Sequence, residues 1–273
     1  MKLNLRNVEF SYASVPVLED ICLNIEDAQL VSIIGPNGVG KSTLIHCMNN
    51  ILTPGKGTVL IDDTEVVNIG VKELAKQIGY VPYSAHNSFP LSVVDTVLMG
   101  RHPHNSWKTT KRDLQIVYET LGLLEIEHLA MRPFNELSAG QHQKVMLARG
   151  IAQEPKILLL DEPTANLDIR HQMEATRTLK ELVDSRDMLI VMISHDLNLA
   201  STYSDNVIMM HEGRIFAVGT PSEVISEENL RMVYGVDSDI VDVKGRPHVI
   251  LLDDKFDPKS YGEVKGHLSK GAS

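Results

Sequence analysis

Hydrophobic and polar residues alternate over the first 25 positions of the chain in the manner of β-strands. The run Leu30–Ile34 that follows is almost entirely apolar. A period of two predicts strands with one buried face, whereas a short continuous apolar run predicts a strand buried on both faces. The amino-terminal 34 residues are therefore predicted to form several strands, the last of them fully buried.

A helical pattern replaces the strand pattern at about residues 90–155. Residues 110–121 and 141–152 carry apolar side chains three and four positions apart, and Ser92 is a suitable N-cap. Strand-like apolar runs lie on both sides of this segment, at residues 58–61, 79–81, 157–160, 188–193 and 206–210. Helix-like segments separate these runs. The alternation predicts an α/β fold, with a parallel sheet flanked by helices and an inserted α-helical subdomain at about 90–155.

A glycine-rich segment joins the strand Leu30–Ile34 to a helix-like stretch at residues 41–52. It consists of Gly35, Pro36, Asn37, Gly38, Val39, Gly40, Lys41 and Ser42, and Thr43 follows. The spacing matches G-x-x-x-x-G-K-[ST], in which glycines let backbone N–H groups point at phosphate oxygens and a helix N-terminus adds a positive field. Lys41 would reach the β- and γ-phosphates, and the Ser42 hydroxyl would ligate Mg²⁺. This phosphate loop (residues 35–43) predicts a nucleotide site.

Two later strands end in polar residues that suit the same site. Asp161 and Glu162 follow the run Ile157–Leu160, and His195 follows residues 188–193. Asp161 is predicted to hold Mg²⁺, because hard cations prefer oxygen ligands. Glu162 is predicted to activate the attacking water and His195 to orient it. A histidine at a strand end is also a common structural hydrogen-bonder, so its functional interpretation depends on its place at the same sheet edge.

A second anion-binding device precedes the helix at 141–152. Its residues are Leu137, Ser138, Ala139, Gly140 and Gln141. Alone, this segment would be an ordinary serine N-cap followed by small residues. A chain with one phosphate loop does not need a second anion-binding segment for its own nucleotide. The segment at 137–141 is therefore predicted to contact a nucleotide bound by another copy of the chain.

These elements occur in the order found in the nucleotide-binding subunit of ATP-binding cassette (ABC) transporters, which the sequence resembles over about residues 1–245. The resemblance rests on Tyr12, the phosphate loop, the signature at 137–141, the strand ending in Asp161 and Glu162, the segment 165–168 and His195. It implies a P-loop NTPase core with an antiparallel β subdomain. It also implies that Tyr12 stacks on adenine and that Asp168 helps to join a dimer. Ser138, Ala139, Gly140 and Gln141 would contact ATP bound by the opposite subunit.

Five further segments, which are less specific than these motifs, resemble those of importers of the iron–siderophore, haem and cobalamin type. They lie at residues 89–93, 97–101, 168–172, 195–200 and 233–236. The implied partners are a second copy, two transmembrane permease subunits and, indirectly, an extracytoplasmic substrate-binding protein, with ATP and Mg²⁺ as cofactors. The alternatives are a cassette for another cargo, such as molybdate or another small solute, and a soluble non-transport ABC ATPase.

One position departs from the family pattern in a way that bears on the chemistry. Tyr83 stands where the family usually has glutamine. An amide oxygen can ligate Mg²⁺ or position water, whereas a neutral phenol is a poor metal ligand that can still form hydrogen bonds. The role of Tyr83 at this position is therefore left open.

Composition and charge limit the partners and the location that we expect for the chain. The 273 residues carry 26 basic and 36 acidic side chains, a net charge of −10, which argues against nucleic acid as a partner. The two cysteines have no metal-ligand spacing, and no apolar run approaches the roughly 20 residues of a membrane span. The resemblance, together with these features, therefore implies a peripheral protein at the cytoplasmic face of the membrane, with a single domain at 1–245. Residues 246–273 are expected to form a strand and a polar, partly disordered tail.

Overall fold

The computed structural model describes residues 1–83, 91–104 and 108–252, which form two main sheets. The first sheet has four antiparallel strands in the order β2-β1-β4-β5. The bounds of these strands are β1 Lys2–Tyr12, β2 Val15–Glu26, β4 Lys56–Ile61 and β5 Thr64–Glu65. This sheet is the antiparallel subdomain that the resemblance implies.

The second sheet has six strands in the order β10-β9-β3-β8-β7-β6. Their bounds are β3 Leu30–Ile34, β6 Ile78–Val81, β7 Ile157–Leu160, β8 Leu189–Ile193, β9 Asn206–His211 and β10 Arg214–Gly219. The five strands from β9 to β6 are parallel, and β10 pairs with β9 as an antiparallel hairpin. The predicted parallel sheet is confirmed, and β3, β8 and β7 are neighbours in it.

Nine α-helices surround the sheets in the described ranges. They are α1 Lys41–Met48, α2 Val71–Gln77, α3 Val93–Leu98, α4 Lys111–Leu123, α5 Ala139–Ala152, α6 Ile169–Arg186, α7 Leu197–Tyr203, α8 Pro221–Val224 and α9 Glu227–Tyr234. The helix predicted over 41–52 was too long, because it ends at Met48 and Asn50 adopts φ 57°. None of the helices in the described ranges is long and apolar enough to cross a membrane.

Helices α3, α4 and α5 follow β6 in the chain and precede β7, which pairs with β6 in the sheet. Ser92 caps α3 as predicted, since its hydroxyl accepts a hydrogen bond from the Asp95 amide. Val145 on α5 lies in one apolar cluster with Leu158 and Leu160, whereas Ile157 and Leu159 lie in a second cluster with α1 and the antiparallel sheet. Alternate side chains of β7 thus face opposite sides of the sheet, as the pleat of a strand requires.

A third apolar cluster joins the carboxyl-terminal segment to the end of β3. Helices α8 and α9 and the hairpin of β11 (Asp237–Val243) with β12 (Arg246–Leu252) contribute Val233 and Val249 to it, among others, beside Ile34. The expected domain end at residue 245 lies in the turn of this hairpin. The expected polar tail lies outside the described residues from 253 onward, as do residues 84–90 and 105–107.

Candidate nucleotide-binding and hydrolysis site

The phosphate loop leaves the carboxyl end of β3 and enters α1 through a backbone that its glycines make possible. Gly35 and Gly40 have φ of 147° and 99°, which side-chain-bearing residues rarely adopt. A Cβ on Gly35 would lie 2.4 Å from the carbonyl oxygen of Met210, and one on Gly40 would lie 2.9 Å from that of Val17. The glycines are therefore required by space as well as by conformation, and the loop presents its amides at the N-terminus of a helix.

Lys41 is buried and its ammonium group lies over the loop. Its Nζ donates hydrogen bonds to the carbonyl oxygens of Gly35, at 2.7 Å, and Pro36, at 2.8 Å. Burial lowers the pKa of Lys41, and the nearby carboxylates of Glu162 and Asp161 oppose this shift. The loop thus holds a cation at its centre, where it can attract phosphate oxygens.

The Ser42 hydroxyl and the Asp161 carboxylate lie together beside the loop. Ser42 Oγ donates to Asp161 Oδ1 at 3.1 Å, and the Asp161 amide donates to the carbonyl oxygen of Val81 on β6. Burial raises the pKa of Asp161, and the Ser42 hydrogen bond partly offsets this shift. A hydroxyl and a buried carboxylate oxygen are hard donors suited to Mg²⁺, so this pair fits the cation that the sequence predicts. No cluster of three or more histidine, cysteine or acidic residues adds a further metal site in the described ranges.

Glu162 and His195 form a hydrogen-bonded pair next to Asp161. His195 Nε2 and Glu162 Oε1 are 2.5 Å apart, although the two residues are 33 positions apart in the sequence. They meet because β7 and β8 are parallel neighbours whose carboxyl ends lie at one edge of the sheet. Glu162 has φ 50°, an uncommon conformation for a residue with a side chain.

The signature residues line a separate groove. Ser138 caps α5, and its hydroxyl and backbone amide exchange hydrogen bonds with Gln141 in a capping box. Asp168 caps α6 and accepts hydrogen bonds from His171. Ser138, Gly140, Gln141 and Asp168 line one groove of about 520 Å³, together with Lys144 and Asn166. None of the residues lining this groove belongs to the phosphate loop, so this chain alone does not bring its signature to its own phosphate loop.

Two tyrosines predicted near the nucleotide are exposed. Tyr12, at the end of β1, is 50% exposed and packs edge-on against Phe10, with ring centroids 4.9 Å apart. Tyr83 is 45% exposed and follows β6 by two residues. Tyr12 thus has a free ring surface, while Tyr83 directly precedes residues outside the described ranges.

One pair of residues at the site was missed by sequence reasoning. His46 Nε2 lies 2.8 Å from the hydroxyl of Tyr80, so α1 is linked to β6 beside Asp161. Burial, and then the Asp161 charge, raises the pKa of Tyr80 to about 12. The only signal in the sequence is that His46 lies four residues after Ser42, on the same face of the helix.

The family model described as ABC transporter matches residues 18–165 of the chain. An uncharacterized ABC transporter ATP-binding protein of Methanocaldococcus jannaschii is 46% identical over 252 residues, which cover 92% of this chain and 98% of that protein. A hemin import ATP-binding protein of Escherichia coli O157:H7 is 35% identical, over 92% of this chain and 99% of that protein.

Solved structures that are similar to this chain also come from ABC transporters. One described as a metal-chelate type ABC transporter in an inward-facing conformation matches with a TM-score of 0.80 and 28% identity, over 93% of this chain and 98% of that one. A dimeric bacterial ABC transporter cassette matches with a TM-score of 0.72 and 28% identity, over 80% of this chain and 98% of that one. Because the family model spans more than half of the chain and the relatives match over nearly their full length, the chain belongs to the ABC transporter family, as one of its ATP-binding proteins, which hydrolyse ATP to power transport.

Proposed function

We propose that this chain is the ATP-hydrolysing subunit of an importer that takes up a metal chelate, such as an iron–siderophore, haem or cobalamin. The proposal of ATP hydrolysis rests on three groups of residues that lie together at one edge of the parallel sheet. These are the phosphate loop around Lys41, the Ser42–Asp161 contact, and the Glu162–His195 hydrogen bond. The cargo class is supported by the hemin import relative and by the metal-chelate type structure.

The site suits phosphoryl transfer to water, in which positioning and electrostatics do most of the catalysis. The loop amides and Lys41 would hold the phosphates and stabilise the developing negative charge. Ser42 and Asp161 would hold Mg²⁺, which supplies charge neutralisation when bound. Glu162 would accept a proton from the attacking water, and His195 would keep the Glu162 carboxylate in place.

The signature groove would complete this site in a second copy of the chain. Ser138, Ala139, Gly140 and Gln141 at the amino end of α5 would contact ATP held by the partner's phosphate loop, and Asp168 would lie at the junction. Tyr12 would stack on the adenine ring. The dimeric cassette among the similar structures supports such a pairing.

The same assignment implies partners that cross the membrane. Two permease subunits would carry the chelate, an extracytoplasmic binding protein would deliver it, and this chain would dock at the cytoplasmic face. A cassette for molybdate or another small solute would share the same hydrolytic site. Uptake of radiolabelled ferric siderophore, haem, cobalamin and molybdate by a strain lacking the gene separates these cargoes, because only the true cargo should lose uptake.

The test of hydrolysis is Glu162→Gln, which keeps the shape of the side chain and removes the proton acceptor. We expect ATP binding to be retained while phosphate release falls by at least about 100-fold, the usual scale for loss of acid–base help. Glu181→Gln, an exposed position on α6, is the matched control and should hydrolyse ATP like the wild type. If Glu162→Gln hydrolysed ATP at the wild-type rate, Glu162 would not be the residue that accepts the proton from the attacking water.

A further inference from the structure

The carboxyl-terminal hairpin of β11 and β12 is joined to helix α7 by hydrogen bonds. The Asn198 side chain binds both backbone groups of Val249: its Nδ2 donates to the carbonyl oxygen at 3.2 Å, and its Oδ1 accepts from the amide at 2.7 Å. The Ser201 hydroxyl donates to the carbonyl oxygen of Pro247 at 2.5 Å. Asn198 and Ser201 are three positions apart, so they lie on one face of α7 and hold β12 along it.

These contacts are largely shielded from water. Ser201 is 1% exposed and Val249 is 7% exposed. Arg246 of β12 adds a contact at the other end of the helix, where its Nη1 donates to the carbonyl oxygen of Ser204 at 2.7 Å. Loss of the Asn198 amide would leave buried backbone groups of Val249 without these partners, which costs free energy. The hairpin and α7 are therefore firmly held together.

The helix fixed in this way begins next to the site of hydrolysis. Asp196 caps α7, and its Oδ1 accepts a hydrogen bond from the Asn198 amide at 2.8 Å. On the other side of His195, the Ser194 amide donates to the carbonyl oxygen of Ile33 at 3.1 Å, at the end of the parallel sheet. His195 therefore links a strand that the sheet fixes to a helix that the hairpin fixes.

The His195 ring depends on this backbone for its position. Its side chain is 43% exposed, so burial alone does not fix the imidazole beside the Glu162 carboxylate. A displacement of α7 would move the imidazole relative to Glu162. Misplacement of a catalytic group by about 1 Å can lower a rate by about 100-fold.

We propose that Asn198 is a positioning residue for His195, because its hydrogen bonds to Val249 let the carboxyl-terminal hairpin fix α7 and the imidazole that precedes it. The inference rests on the proposed role of His195 in ATP hydrolysis. It extends the hydrolytic site to β12, since Val249 lies 51 residues after Asn198 in the chain. Turnover of ATP therefore depends on the hairpin, whereas nucleotide binding by the phosphate loop does not.

The test is Asn198→Ala, which removes both hydrogen bonds to Val249 and suits a helix. Asn206→Ala is the matched control, because Asn206 is also half-buried and its amide donates to Gln29 Oε1 at 2.7 Å, at the first residue of β9. Steady-state ATP hydrolysis and ADP affinity are measured well below the melting temperature. Both variants are also made in a His195→Gln background.

For Asn198→Ala we expect kcat to fall about 10-fold, less than the effect of a fully misplaced group, while the KM for ATP and the ADP affinity stay within about twofold. In the His195→Gln background Asn198→Ala should cause no further fall, because mutations that act through one group are not additive. The imidazole nitrogen NMR resonance of His195, identified by its absence from His195→Gln, should shift in Asn198→Ala. Asn206→Ala should match its parent in every measurement.

Ser201→Ala is a second variant that decides the question if Asn198→Ala does not fold. It removes the neighbouring hydrogen bond to Pro247 and changes the helix little. We expect kcat to fall, by less than in Asn198→Ala, and we expect this fall to disappear in the His195→Gln background.

An unchanged kcat in Asn198→Ala would overturn the inference. An equal proportional fall of kcat in the wild-type and His195→Gln backgrounds would also refute it, since Asn198 would then act on the fold and not through His195. Failure of the proposed function looks different, because His195→Gln would itself hydrolyse ATP at the wild-type rate. The NMR measurement then decides, and an unshifted His195 resonance in Asn198→Ala would exclude the positioning role.

Discussion

A buried ion pair in the helical insertion allows a stability prediction with a matched control. Arg101 is 7% exposed and donates to the Asp113 carboxylate at 3.1 Å, to the Ala152 carbonyl oxygen at 2.7 Å and to Glu154 at 2.8 Å. Asp113 is only 3% exposed. The guanidinium group thus ties the segment after α3 to the start of α4 and to the carboxyl end of α5.

The perturbation is Arg101→Met, which keeps much of the apolar stem and removes the charge. Removing one partner of a buried ion pair typically costs about 3–5 kcal/mol, because the other charge is left uncompensated. The lower end applies here, since Asp113 still accepts hydrogen bonds from the backbone amide and the hydroxyl of Thr110. We therefore expect the free energy of unfolding to fall by about 3 kcal/mol.

The measurement is urea unfolding of the purified chain, followed by far-ultraviolet circular dichroism. Arg170→Met is the control, because Arg170 pairs with Glu174 at 2.8 Å but is 83% exposed, so water screens the pair. We expect no measurable change for this control. Arg101→Lys should fall between the wild type and Arg101→Met, since an ammonium group keeps the charge and loses the fork geometry. Equal midpoints for Arg101→Met and Arg170→Met would refute the reasoning.

Further predictions concern the loop and the two thiols. Gly35→Ala should abolish tight nucleotide binding in a titration with ADP, because its Cβ would lie 2.4 Å from the Met210 carbonyl oxygen, and wild-type affinity would contradict the loop geometry. Lys41→Met should weaken ADP binding by at least about 100-fold, as expected for a lost charge-assisted contact to phosphate; an unchanged dissociation constant would exclude that contact. Burial raises the pKa of Cys47 to about 11, so at pH 8 Ellman's reagent should label the exposed Cys22 rapidly and Cys47 only after unfolding. Rapid labelling of both thiols in the folded chain would show that Cys47 is accessible.

Local sequence patterns predicted the phosphate loop better than they predicted where the helix after it ends. The phosphate loop was recognisable because its glycine spacing follows from the backbone shape that it must adopt. The end of α1 was missed, since apolar residues continue to Leu52 while Asn50 leaves the helical conformation.

The sequence alone predicted which residues would carry the chemistry, because the spacing of a phosphate loop and the carboxylates that end a buried strand are local features. The tertiary structure decided which residues meet. Glu162 and His195 meet because β7 and β8 are parallel neighbours, and Val233 of α9 joins Ile34 at the end of β3 in one apolar cluster. Hydrophobic periodicity shows which face of an element is buried, but not which element covers it. Contacts between distant residues therefore depend on strand order and packing.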